Sequence, residues 1–164
     1  MGESQTAIEY CARIVQSAYR RWLIADRQDG LWKAECKGRS MRPQTSWPIA
    51  LQKRLVCHAS SILDVSAKLP NTIQGTHISR QLLRAGTAAA ANYGEARGAE
   101  SRSDFVHKLR IVLKELNETA VWLDLIAQNS WIKPEKLSAV SAENTELCRI
   151  IAASIKTAGG FDRT

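Results

Sequence analysis

Three histidines, four cysteines and a scatter of carboxylates are the residues of this chain that could do chemistry. Their spacing points away from most of it. His58 falls in an apolar helical stripe, which suits a bundle histidine with a local partner better than a metal ligand. His77 and His107 stand near the starts of two later helical segments. None belongs to a Glu-x-x-His pair, so a carboxylate-bridged di-metal bundle is not predicted. Cys11, Cys36, Cys57 and Cys148 form no Cys-x-x-Cys pair and no Cys/His ligand spacing. Neither a zinc site nor a disulfide framework is expected, and reduced thiols in a cytoplasm fit better. No Gly-rich phosphate loop, HExxH or GxSxG occurs. The expected protein is not an enzyme and uses no cofactor, no metal and no catalytic residue.

Polar groups on otherwise apolar faces say more. Asn92 sits in a small-residue stripe, and Glu115 sits in a mixed stripe with Glu118 near its edge. An unpaired buried carboxylate is costly, so Glu115 is expected to pair with Arg84 or Lys108, within the bundle or across a subunit boundary. Such a pair would fix helix register rather than catalyse.

The formal charge is +7, which favours an acidic partner such as nucleic acid or an anionic protein face. The cations form no run. From Trp47 to Arg110 there are nine basic against four acidic residues, +5, and the stretch from Ile111 on is acidic to neutral. Lys53, Arg54, Arg80, Arg97, Arg102, Arg110 and Lys114 are the candidate nucleic-acid contacts. Symmetry in an oligomer would join such scattered charges into a stripe, and phosphate binding needs several contacts at once. A solvated basic face is the competing reading. No aromatic platform for single strands is evident, because Tyr93, Trp122 and Trp131 fall at helical spacings that suit packing.

These residues need helices to position them, and the apolar pattern supplies them. Residues 1–46 read as an extension. An amphipathic helix is plausible from about Thr6 to Ala25, with Ile8, Cys11, Val15, Ala18 and Trp22 on one face. A basic loop follows, Lys33 to Arg42, punctuated by Gly and Pro, and Met41 could be an internal start. Glu3, Glu9 and the lack of an apolar run argue against a signal peptide, and no stretch approaches the ~18 apolar residues of a membrane span.

Residues 47–158 read as an all-α, up-down-up-down antiparallel four-helix bundle, with residues 159–164 as a frayed tail. The first helix runs from Pro48 to Leu69 with the stripe Leu51, Leu55, His58, Ile62, Val65, Leu69, and Pro70 ends it. Asn71 or Thr72 caps the second. The second, to Gly98, is small or apolar nearly all round. Ile78, Leu82, Ala85, Ala89, Asn92 and Ala96 form one stripe, and Leu83, Thr87, Ala90 and Gly94 form another. Gly86 and Gly94 each cost roughly 1 kcal/mol relative to Ala, which suggests close approach of another backbone and burial against a second subunit. Ser101 with Asp104 starts the third helix, which runs to about Ser130. Pro134 starts the fourth, with Leu137, Val140, Asn144, Leu147, Ile151 and Ile155 inward. Arg84, Gly86, Ala89, Asn92, Glu95, Lys108, Glu115 and Trp122 are the candidate structural or interface positions.

Two stretches carry a resemblance. One is Gln81-Leu-Leu-Arg-Ala-Gly-Thr with Asn92-Tyr93-Gly-Glu95-Ala96. The other is Glu100-Ser-Arg-Ser-Asp-Phe105-Val-His-Lys108-Leu with Leu113-Lys-Glu115-Leu-Asn-Glu118-Thr119 and Trp122-Leu. Over about Leu51 to Ile155 the chain resembles the four-helix-bundle proteins encoded in intervening sequences of large-subunit ribosomal RNA genes. It is similar, more distantly, to the accessory variability determinant of diversity-generating retroelements. The resemblance implies a homopentamer and, as partners, a reverse transcriptase and its template RNA bound through a basic surface. It says nothing of residues 1–46. The function expected is therefore that of an oligomeric, nucleic-acid- or ribonucleoprotein-binding accessory protein. The alternative is a purely structural or protein–protein interaction bundle linked to a mobile element.

Overall fold

The computed structural model describes residues 47–159. The expected N-terminal helix, the basic loop and the Met41 start lie outside the described residues, as does the tail beyond Gly159. Four helices make up the described part: α1 (Trp47–Ser66), α2 (Ile73–Arg97), α3 (Arg102–Gln128) and α4 (Pro134–Gly159). There is no strand among the described residues.

Side-chain contacts fix the helix directions. Gln52 Nε2 donates to the Ala90 carbonyl, and Ser79 Oγ donates to that of Ser66, so α1 and α2 are antiparallel. Lys108 meets Glu95 while Arg84 meets Glu118, so α2 and α3 are antiparallel. Arg102 reaches the Ala158 carbonyl and Asn144 reaches that of Leu116, which sets α3 against α4. Polar contacts between α1 and α4 close the ring of four. The expected antiparallel bundle is the fold.

The helix ends follow local chemistry. α1 stops at Ser66, three residues before the expected end. The chain tightens there into i→i+3 bonds, Lys68 N–H to Val65 O and Leu69 N–H to Ser66 O, because Pro70 disfavours helical backbone at Leu69. Thr72 caps α2 by accepting from Gly75 N–H at 3.1 Å, and Ser101 caps α3 by accepting from Asp104 N–H at 3.1 Å. Gly75 has no room for a side chain, since a Cβ there would lie 2.0 Å from the Pro70 carbonyl oxygen. Two residues past the end of α3, Ser130 has a φ of 54°, the left-handed position usually given to glycine. Trp131 N–H to Ile126 O closes the cap.

The core has two apolar clusters. One gathers Leu51, Leu55, Ala89, Tyr93, Phe105, Leu109, Leu116, Leu147 and Ile151 with their neighbours. The other holds Ile62, Val65, Leu82, Leu123, Ile126, Ile132 and Leu137. His58 and Asn144, both buried, belong to neither. The smallness of α2 is largely used inside the bundle. Ala85, Ala89 and Ala96 are fully buried, and a Cβ on Gly86 would lie 2.8 Å from Ile62 of α1. What approaches Gly86 is the Ile62 side chain of α1 rather than another backbone, so this glycine calls for no second subunit. Thr87 and Ala91 remain exposed, and Ala88 and Asn92 are half-buried.

Two further expectations are corrected. Arg84 pairs with Glu118 and Lys108 with Glu95, so neither meets Glu115 within the bundle. One helical turn separates Glu118 from Glu115, and the rotation of α3 presents Glu118 to α2. Cys57 is disulfide-bonded, with its partner outside the described residues, where a reduced thiol was expected. Cys148 is a free thiol, and burial pushes its pKa up.

Candidate nucleic-acid interface

The seven candidate cations divide according to which side of a helix they occupy. Lys53, Arg80, Arg97, Arg110 and Lys114 are exposed. Arg54 and Arg102 are half-buried, and each is already engaged. Arg54 holds Glu143 in a two-point grip, Nε to Oε1 at 2.6 Å and Nη2 to Oε2 at 2.8 Å, with side chains only 12% and 23% exposed. Arg102 Nε donates to the Ala158 carbonyl at 2.6 Å, which places a cation at the C-terminal end of α4 where the helix dipole is negative.

Of the five exposed cations, Lys53 stands on α1 and Arg80 and Arg97 stand towards opposite ends of α2. Only Arg110 and Lys114 are neighbours on one helix face, four residues apart on α3. His107 lies one turn before them, and all three are exposed. Asn117 and Val121 continue the row, with Val121 56% exposed. The opposite side of α3 is fully buried through Leu109, Val112 and Leu116. The apolar face of this helix thus fixes the direction in which Arg110 and Lys114 project.

The seam between α2 and α3 collects most of the expected structural residues. Lys108 donates to Glu95, whose hydrogen bond and charge hold the ammonium above the usual lysine value. Glu118 accepts from Arg84 and, at 3.3 Å, from Trp122 Nε1. The His77 ring meets the edge of Trp122, with centroids 6.1 Å apart. Both ion pairs are partly exposed, so each contributes little stability. Glu115 lies half-buried beside them, with Oε2 buried and no hydrogen-bond partner in the described bundle. Asn92 uses its amide on the Ala88 carbonyl of its own helix.

The seam between α1 and α4 was not legible as a unit. Asn144 Nδ2 donates to Leu116 O at 2.9 Å, which turns its oxygen toward His58 Nε2 at 3.1 Å. Nε2 is therefore the donor, and Nδ1 is left without a described partner. Burial pushes the His58 imidazole below its usual pKa, against the opposing pull of Glu143 and the Asn144 hydrogen bond. This agrees with the reading of His58 as a bundle histidine with a local partner. Glu143 carried no signal in the sequence beyond its place next to inward-facing Asn144.

The chain matches the family described as 23S rRNA-intervening sequence protein over residues 51–153. Among solved structures it is similar to a protein of unknown function from the S23 ribosomal protein family of Bacteroides thetaiotaomicron. The two are 34% identical with a TM-score of 0.62, over 66% of this chain and 97% of that one. No curated protein matches. The chain belongs to the 23S rRNA-intervening sequence protein family.

Proposed function

We propose that this family member is a non-enzymatic, oligomeric accessory protein that binds nucleic acid. The ligand is free RNA or DNA, or a ribonucleoprotein such as a reverse transcriptase with its template RNA. The observation that carries the reading is the outward row His107, Arg110, Lys114 on α3. It is exposed, and neither Arg110 nor Lys114 has an ion-pair partner among the described residues. Arg80, Arg97 and Lys53 add exposed charge on neighbouring helices.

One row of two or three cations is too few for tight phosphate binding, because affinity grows with the number of counterions released. An oligomer, pentameric as the resemblance implies, repeats the row and makes a continuous basic surface. The half-buried Ala88 and Asn92, with Glu115 across the seam, offer one surface on the bundle for such a contact.

Titration of the purified protein with RNA and duplex DNA at several salt concentrations tests the proposal. Binding should weaken linearly in log K against log salt, with a slope of about −0.7 to −0.9 per phosphate contact. Absence of binding at about 50 mM salt, the low end of such a series, would leave the structural or protein–protein interaction bundle as the function.

A further inference from the structure

The outward face of α1 carries an apolar row that nothing in the described bundle covers. Ile49, Val56 and Leu63 are 38%, 53% and 50% exposed. They recur every seven residues, which stacks them with a drift of only ~20° per repeat, and exposed Ala67 continues the row. Single exposed apolar residues are ordinary, but three at one phase of a helix, with Lys53 and Ser60 between them, give α1 an outward side that a partner's apolar face can cover.

Next to Val56 is Cys57, half-buried and disulfide-bonded to a residue outside the described part. The chain has four cysteines and Cys148 is free, so Cys11 and Cys36 are the two candidates for the other half. They differ in setting. Cys36 lies in the polar, basic stretch from Lys33 to Arg42. Cys11 lies in the amphipathic pattern Ile8, Cys11, Val15, Ala18, Trp22, on its apolar side.

We propose that residues 6–25 dock as an amphipathic helix along the outward face of α1, with Cys11 as the cysteine bonded to Cys57. The two apolar rows match in length. Ile8 to Trp22 and Ile49 to Leu63 each span fourteen residue steps, or about 21 Å of helix. A twenty-residue helix is marginal alone in water and becomes stable by packing its apolar side on a partner. The connection is no obstacle. The twenty-one residues between Ala25 and Trp47 reach up to ~70 Å when extended, against roughly 30 Å for the whole of α1. Docking explains both the uncovered row and the oxidised cysteine beside it.

The test uses the full chain purified without reductant. Peptide mapping should give a Cys11–Cys57 cross-linked peptide that reduction abolishes. Amide hydrogen exchange should show residues 6–25 protected in the wild type. In Val56→Asp/Leu63→Asp these residues should exchange about tenfold faster or more, the factor that follows from losing ~1.4 kcal/mol of docking. Both substitutions fall at exposed positions, so exchange in α2, α3 and α4 should not change, and neither should the subunit number by light scattering. A Cys36–Cys57 bond overturns the proposal. So does equal exchange of residues 6–25 in wild type and variant. A change of subunit number on substitution overturns it too, because the row would then belong to a second copy of the chain.

Discussion

Arg54 and Arg110 are arginines of one bundle with opposite fates. On α1, Arg54 points into the seam with α4, where Glu143 grips it at two points beside the buried His58–Asn144 pair. On α3, Arg110 points straight out beside Lys114, and neither has a described ion partner. Composition treats the two alike. Helix phase separates them, because the apolar stripe of each helix decides which flank faces a neighbour. A cation spent on structure should be worth stability and no affinity, and a cation left over should be worth affinity and no stability.

Removing the seam's carboxylate should have the largest effect on stability. Glu143→Ala removes the two-point carboxylate grip on a mostly buried guanidinium. Such losses reach 3–5 kcal/mol when burial is complete, and the residual exposure of this pair lowers the expectation to about 2 kcal/mol. Denaturant unfolding measures it, and nucleic-acid affinity should not move. Asn144→Leu comes next, at about 1–2 kcal/mol, because the buried His58 Nε2–H then has no acceptor.

A smaller effect arises from pH. The folded protein holds His58 below its usual pKa by burial, so the unfolded chain takes up the proton first as pH falls. Stability should be level above the unfolded value, near 6.5, and fall progressively below it until the folded state protonates. Thermal melts of the wild type and of His58→Gln across pH 5–8, the range in which histidine titrates, should show the slope only in the wild type. Smallest of all on stability, Arg110→Ala and Lys114→Ala should each stay within about 0.5 kcal/mol of the wild type.

The fold is largely legible in the sequence because its signals are local. The stripe from Leu51 to Val65, the caps at Thr72 and Ser101 and the break at Pro134 all act within a turn or two of themselves. The site is legible only in part, because pairing across helices depends on their relative rotation. Glu115 and Glu118 are one turn apart, and nothing in the spacing says which one α2 will meet. Arg54 and Glu143 lie 89 residues apart, and their meeting depends on how α4 closes against α1. The left-handed Ser130 has no signal of its own, since serine is not the residue that position favours. Gly86 does mark a point of close approach, as its cost within a helix suggests, but the helix that approaches is α1.

The most direct test of the division between spent and spare cations is the salt dependence of nucleic-acid binding in two variants measured side by side. Arg110→Ala/Lys114→Ala should weaken binding to all sequences and flatten the slope of log K against log salt by about 0.7–0.9 for each phosphate no longer neutralised, with unfolding unchanged. Glu143→Ala should leave that slope as it is in the wild type. An unchanged slope in the α3 double variant would contradict the account.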